Sequence, residues 1–283
     1  MESKVVAGII TYNPDISRLR ENVEAIYSQV DILLIVDNGS SNYNRIQNLY
    51  ESRPRICFVS NPRNVGVAKA LNIMASKAIE LGAEWLLTLD QDSVVSDNIM
   101  LEYVKYINDP SVGIITCRYV DRNTDNIDQF TPQENRFIPR CITSGTYMNL
   151  KIWEQVGGFY EPLFIDQVDF DYCYTVRENG YNILQVGKTY LLHEIGKSKG
   201  VYLFGNYHIA FNHSPMRYYY MIRNMIVVAK RHHMWRHFIH VIPRRILIVN
   251  KFEDNRWKKN KMMALGFYHA LIGKMGKCNS NKA

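Results

Sequence analysis

Asp90 and Asp92, with Gln91 between them, follow the apolar run Trp85–Leu89. Alternate side chains of an extended segment point to one side, so the two carboxylates can converge on one ligand. Hard oxygen donors of this kind suit Mg2+ or Mn2+, which takes one or two carboxylates and completes its shell with water and substrate phosphate. A solvated turn with two aspartates is the competing reading of so short a string, and the position after a buried run is what favours a metal–nucleotide site.

A second acidic group, Asp166, Asp169 and Asp171, crowds into Phe164–Tyr172. An aspartate within hydrogen-bonding reach of a hydroxyl can remove its proton as that oxygen attacks an electrophilic carbon. Acidic residues also gather at the first turn of a helix, where exposed N–H groups and the dipole favour them. One carboxylate can serve either purpose, and three together point to at least one with a chemical role.

Asp37, in Asp37-Asn38-Gly39-Ser40-Ser41, can accept the imide N–H of uracil or thymine, or can simply close a turn of residues that favour turns. The stretch Asn61-Pro62-Arg63-Asn64-Val65-Gly66 leads into a helix whose N-terminus can face anions. Arg63 and Lys69 are diphosphate contacts or two surface cations. His193 follows Leu191-Leu192 and is either a ligand or a hydrogen-bonded structural residue. The other histidines, between His208 and His269, lack metal-ligand spacing.

The elements that must position these groups are those of an α/β chain. The runs Val5–Ile10, Ile32–Val36, Ile56–Val59 and Trp85–Leu89 read as strands. Between them Ile16, Leu19, Val23 and Ile26, and later Ala68, Leu71, Ala75, Ala78 and Ile79, fall at helical spacing. This alternation specifies a mostly parallel sheet flanked by helices, whose strands end along one edge where ligands bind. Each run ends in small or polar residues: Thr11-Tyr12-Asn13, Asp37 to Ser40, Asn61 to Gly66, and Asp90 to Ser93. All four clusters are therefore expected at one crevice.

Further along, Val112–Cys117 reads as a strand, and polar residues 121–139 as an exposed loop long enough to serve as a mobile lid. A turn at Gly157-Gly158, a helix through Asp169–Arg177, a strand at Ile183–Val186 and a helical C-terminal third complete the pattern. The expected division is a catalytic domain over residues 1–210 and a basic, aromatic, helical region over 211–283.

The 283 residues carry 34 Lys and Arg against 27 Asp and Glu, a net charge of +7. The excess lies mostly after Arg217, interleaved with Tyr, Trp and Met. Such a surface suits a nucleic acid or an anionic membrane, packs against a second subunit to give an oligomer, or is a solvated face without a partner. The 5 cysteines are an odd number without a CxxC pair and read as reduced core thiols. The opening MESKVVAGIITYN turns polar too soon for a secretory signal, and no run reaches the roughly 18 apolar residues of a spanning helix. The expectation is a cytoplasmic protein, soluble or peripheral on the inner face of a membrane.

In order and spacing, Thr11-Tyr12-Asn13, Asp37-Asn38-Gly39-Ser40, Asn61 to Gly66, Asp90-Gln91-Asp92-Ser93, Gly157-Gly158-Phe159 and Val168-Asp169-Phe170-Asp171 resemble an inverting family 2 glycosyltransferase with the GT-A fold. The resemblance covers roughly residues 4–200. Within the family, Leu89 to Ser93, Phe164 to Asp169 and His193-Glu194-Ile195-Gly196 look most like bacterial rhamnosyltransferases that use dTDP-L-rhamnose, with a UDP-sugar as the other donor considered.

The resemblance implies that Thr11, Tyr12, Asn13, Asp37, Asn38, Arg63, Asn64, Gly66 and Lys69 line the nucleotide and diphosphate pocket. Asp90 and Gln91 would approach the sugar or ribose, Asp92 and His193 would hold Mg2+ or Mn2+, and Asp169 would be the base. Val168 stands where the family commonly has Glu, so Asp166 or Asp171 is an alternative base. The Gln-x-x-Arg-Trp segment of processive members is absent, which favours transfer of one sugar to a growing cell-surface glycan such as an O-antigen or capsule, lipid-linked at the membrane. Two rival functions make different demands on the sequence. A nucleotidyltransferase calls for a glycine-rich loop where this chain has Thr11-Tyr12-Asn13-Pro14. A nucleic-acid-binding module leaves strand-end carboxylates that repel phosphate, so no nucleic acid is expected as partner.

Overall fold

The computed structural model describes residues 4–121, 130–193 and 199–278. It divides into two compact units, Met1–Glu161 with Tyr172–Glu194, and Pro162–Asp171 with Ile195–Ala283.

The first unit alternates β1 Val6–Thr11, α1 Ile16–Tyr27, β2 Ile32–Asp37, α2 Tyr43–Tyr50, β3 Ile56–Ser60, α3 Val67–Glu80 and β4 Trp85–Asp90. It continues with β5 Val94–Val95, α4 Ile99–Tyr103, β6 Val112–Asp121, β7 Arg136–Phe137, β8 Thr146–Asn149 and α5 Leu150–Gln155. Next comes α6 Val168–Glu178, whose first residues belong to the second unit, and then β9 Asn182–His193. The main sheet runs β3-β2-β1-β4-β8-β6-β9-β5, with β7 also on β9.

Strands β1 to β4 are mutually parallel, and their register sets Thr11 beside Asp37, Ile10 beside Asp90, and Asp37 beside Ser60. The polar strand ends therefore stand abreast. Alternation of side chains divides the packing between the two faces. Ala7, Ile9, Leu33, Ile35, Leu87 and Leu89 share a core with Leu19, Val23 and Ile26 of α1. On the opposite face Met74 of α3 lies against Gly8.

Beyond β4 the sheet becomes mixed. β8 is antiparallel to β4 and β6, β9 is parallel to β6, and β5 is antiparallel to β9. β9 extends well past the expected Ile183–Val186. Gly187-Lys188-Thr189 breaks its apolar pattern, but a register shift opposite Cys117 and Arg118 lets pairing resume at Tyr190. That continuation delivers His193 to the strand's end. Of the loop expected over 121–139, Arg136–Phe137 forms β7, whereas 122–129 lie outside the described residues.

The second unit contains a hairpin, β10 Lys199–Leu203 and β11 Asn206–Ala210, and three helices, α7 Pro215–Arg231, α8 Trp235–Phe252 and α9 Arg256–Leu271. Val201, Leu203 and Ala210 of the hairpin share a core with Ile248 of α8. This packing groups the hairpin with the helices. Helix α7 starts at a Ser214 cap that accepts from the Arg217 N–H, with proline in its first turn. Its Tyr218, Tyr219, Ile222, Arg223, Asn224 and Val228 are all buried. Among the described residues no helix is long and apolar enough to cross a membrane. All five cysteines are free, and burial pushes the Cys117 thiol up to about 12.

Gly39 has φ +83°, and a Cβ there would lie 2.6 Å from the Arg63 carbonyl carbon. Gly82 has φ +87° with nothing within 4 Å of its would-be Cβ. Gly39→Ala is expected to destabilise by about 2–4 kcal/mol and Gly82→Ala by about 1 kcal/mol, since only the first adds a backbone collision to the left-handed strain. Urea unfolding measures both, and equal losses would show that the collision relaxes freely.

Candidate active site

The crevice edge is organised by the carboxylate of Asp37, which is 1 % exposed. Its Oδ1 accepts from the Thr11 hydroxyl at 3.0 Å, and its Oδ2 from the N–H groups of Gly39 at 3.0 Å and Ser40 at 2.8 Å. One side chain thus joins the ends of β1 and β2 and folds the turn after β2. With both oxygens engaged, only a remaining lone pair is open to a ligand N–H.

Asn38 extends the frame to the next loop. Its Oδ1 accepts from the Val65 N–H at 2.9 Å, and its Nδ2 approaches Asn64 Oδ1 and Gly66 O, both at 3.4 Å. Asn64 Oδ1 also receives the Gly66 N–H at 2.9 Å, closing the entry to α3. Asn13 Oδ1 accepts from Ser41, and the Asn13 N–H donates to Ser40 Oγ. Thr11, Asn13, Asp37, Asn38, Asn64 and Gly66 are therefore one connected set. Arg63 is exposed beside it, while Lys69 pairs with Glu161 at 3.5 Å.

The Asp90-Gln91-Asp92 turn is fixed from three sides. Asn22 donates to the Asp90 carbonyl at 2.6 Å, Gln91 Oε1 receives the Tyr12 N–H at 2.8 Å, and the Asp90 N–H donates to Ser144 Oγ at 3.0 Å. Ser144 donates in turn to Ser93 Oγ at 2.7 Å, and Ser93 Oγ lies 3.1 Å from His193 Nδ1. The antiparallel register of Val94 with Leu192 continues to Ser93 and His193, so β9 returns the histidine beside the acidic turn.

With the ring proton on Nδ1 and donated to Ser93, Nε2 would keep its lone pair, the usual arrangement of a metal-binding imidazole; with Ser93 as donor, Nε2 carries the proton. Carboxylate oxygen with imidazole nitrogen is a donor set that fits Mn2+ and, less closely, Mg2+. Among the described residues no three His, Cys, Asp or Glu side chains gather as a metal cluster.

The second acidic group lies in the second unit. Asp171, 2 % exposed, is held by Arg231 Nε at 2.8 Å and His232 Nε2 at 3.0 Å. Asp166 Oδ2 pairs with Arg217 Nε at 2.7 Å. Asp169 stands in the first turn of α6, half-buried, with Oδ1 accepting from the Phe170 N–H at 2.9 Å.

With this geometry in hand, comparison with known proteins is decisive. Residues 7–174 match the family model of glycosyl transferase family 2. The chain belongs to that family. It is a glycosyltransferase. It is 28% identical over 250 residues to the dTDP-rhamnosyl transferase RfbF of Shigella flexneri, covering 83% of this chain and 82% of that protein. Among solved structures it resembles the mannosyltransferase PcManGT from Pyrobaculum calidifontis in complex with GDP-Man and Mn2+. That match has TM-score 0.61 and 16% identity, over 98% of this chain and 77% of the other. GalNAc-T7 with UDP, GalNAc and Mn2+ matches with TM-score 0.61 at 14% identity, over 81% of this chain and 48% of that one. S. aureus TarS matches with TM-score 0.54 at 13% identity, over 95% and 72%. The fold is GT-A, a mostly parallel sheet flanked by helices with a helical C-terminal region.

In this glycosyltransferase the structure adds residues that sequence patterns did not single out. Ser93 and Ser144 link Asp90 to His193, and Asn22 fixes the turn from α1. Arg217, Arg223, Arg231 and Lys259, read as part of a basic surface, make internal contacts with Asp166, Leu163, Asp171 and Glu253. The seven-residue interval from Arg217 to Asn224 to Arg231 was the available signal, because it marks one face of a helix.

Asp37→Asn replaces one acceptor oxygen with an amide that cannot receive the Thr11, Gly39 and Ser40 donors together. The expected loss is about 2–3 kcal/mol at neutral pH, read by urea unfolding, with weakened binding of nucleoside diphosphate. Unchanged stability would show that the three bonds contribute nothing net.

Proposed function

We propose that this glycosyltransferase moves a single L-rhamnose from dTDP-L-rhamnose to a lipid-linked glycan with inversion at the anomeric carbon. The observation that carries the reading is the joined crevice edge, in which Thr11, Asp37 and Asp90 end adjacent parallel strands and Ser93 links the acidic turn to His193. The donor is taken from the dTDP-rhamnosyl transferase that this chain matches over most of its length.

In this mechanism Asp37 and its frame seat the pyrimidine nucleotide, with Arg63 and the α3 N-terminus near the diphosphate. Asp92 and His193 would hold a divalent ion, in keeping with the Mn2+ of two structural neighbours. When bound, the ion supplies positive charge that offsets the charge building on the leaving diphosphate. Asp169 removes the acceptor hydroxyl proton as that oxygen bonds to the anomeric carbon, and the bond from that carbon to the diphosphate breaks on the opposite face. The products are one glycosidic bond and dTDP, with the proton left on Asp169.

Thermal denaturation with nucleotides tests the donor and the metal, because a ligand that binds only the folded state raises its apparent stability. A Mn2+-dependent upward shift is expected with dTDP and dTDP-rhamnose, and Asp92→Ala should fold normally yet lose the metal dependence. A shift with UDP or GDP alone would replace the donor, and metal-independent binding would remove the assignment of Asp92 and His193.

The acceptor half of the reading rests on the surface of the second unit. Between Lys199 and Cys278 the acidic residues are Glu253 and Asp254 alone, amid many Lys and Arg. Phe204 at the hairpin tip is 85% exposed and Trp257 on α9 is 84% exposed. A groove of about 710 Å³ between hairpin and α8 is lined by Phe204, Tyr207, His208, Ile239, His240 and Arg244. Aromatic residues among cations suit the interface of an anionic bilayer. Co-sedimentation is expected with phosphatidylglycerol vesicles and not with phosphatidylcholine vesicles, weakened by Phe204→Ser. Indifference to acidic lipid would count against docking.

A further inference from the structure

Phe164, Asp166 and Gln167 have φ of 68°, 72° and 62°. Side-chain-bearing residues seldom enter this left-handed region, and a bulky one such as Phe is an outlier there. Three of them in so short a segment persist only where the surroundings over-determine the backbone.

Those surroundings come from α7. Asn224, wholly buried, shares the two N–H groups of Nδ2 among the carbonyls of Leu163, Ile165 and Asp166, at 3.0, 2.7 and 2.9 Å. Arg223, also wholly buried, donates from Nη2 to Leu163 O at 2.8 Å and Pro162 O at 3.4 Å, and from Nη1 to Gly276 O at 2.7 Å. The Phe164 ring stacks on Tyr220 with centroids 5.4 Å apart. Arg217 and Arg231 hold the carboxylates of Asp166 and Asp171.

Arg217, Asn224 and Arg231 recur at every seventh position and so form one stripe along the helix. Along that stripe the side chains of all three reach the segment from Leu163 to Asp171. Arginine holds the carboxylates of Asp166 and Asp171, and the backbone leading to Asp169 is fixed in a conformation it would not adopt alone.

We propose that Asn224 and Arg217 are positioning residues for proton transfer, acting by holding the strained Phe164–Gln167 backbone and thereby the direction of the Asp169 carboxylate. The proposal rests on the reading of Asp169 as base. A short connection into a helix does not need left-handed residues, whereas aiming one carboxylate from a helix's first turn does need a fixed entry. Asn224 suits the task because its amide presents two donors in a plane to converging carbonyls, which neither Asp nor Ala can do.

The test is a double-mutant cycle on the full-length protein. Asn224→Ala and Arg217→Gln are each made alone and with Asp169→Asn. Turnover is read as release of nucleoside diphosphate from the nucleotide sugar that the wild-type protein cleaves, with water as acceptor. In the wild-type background each substitution is expected to lower kcat by about tenfold or more while donor KM stays within about twofold. In the Asp169→Asn background the same substitutions should cost nothing further, because the residue they act through is already disabled.

Equal losses in the two backgrounds would show general structural support and overturn the proposal, as would wild-type kcat in either single variant. Wild-type turnover by Asp169→Asn would instead remove the base assignment itself. Arg217 is 42% exposed, so Arg217→Gln carries the cycle if Asn224→Ala does not melt cooperatively.

Discussion

The donor crevice depends on one buried carboxylate. Strands β1 and β2 are parallel, so no tight turn joins their C-terminal ends, and something else must fix the polar residues there. Asp37 does so by accepting from the Thr11 hydroxyl across the strand pair and from the Gly39 and Ser40 N–H groups of its own turn. The turn places Asn38 where it holds Val65, and Gly39 where the Arg63 backbone passes too close for a side chain. Hydrogen bonds to a charged acceptor are worth about 1.5–3 kcal/mol each, which is enough to offset the cost of burying it.

The acidic turn after β4 is anchored through polar contacts. Asn22, Tyr12 and Ser144 each reach the turn, largely through its backbone or through Gln91. Asp37 differs in that its own carboxylate makes the bonds that fix its turn. A carboxylate that organises the fold in this way is surrounded by donors.

Much of this was legible in the sequence, for identifiable reasons. The first four strands were visible because their β-branched runs alternate with helices of clean periodicity, and the strand-end clusters followed from the direction of a parallel sheet. The reach of β9 to His193 was not visible, because Gly187-Lys188-Thr189 interrupts the apolar pattern and only the register shift against β6 restores pairing. Strand β5 is two residues long and is defined by its partner alone. The relay from Asp90 through Ser144 and Ser93 was equally hidden, since serines carry no distinctive spacing. The charge on α7 was misleading in another way. Composition marks Arg217, Arg223 and Arg231 as surface cations, but Arg223 is wholly buried and all three make contacts within the second unit.

That reassignment changes how the basic C-terminal region is understood. An isolated guanidinium inside a protein is costly unless its donors are met, and Arg223 meets that condition with backbone carbonyls rather than with a carboxylate. The Phe164–Gln167 stretch lies outside helix and strand until α6 begins, so the Ile165 and Asp166 carbonyls are open to donors from α7. The left-handed conformations of Phe164, Asp166 and Gln167 cost about 1–3 kcal/mol each. The buried Arg223 and Asn224 donors offset this. Each feature explains the other: without the irregular segment α7 would bury unmet donors, and without α7 the segment would relax. Such mutual dependence makes an irregular loop as determinate as a helix, up to the first turn of α6.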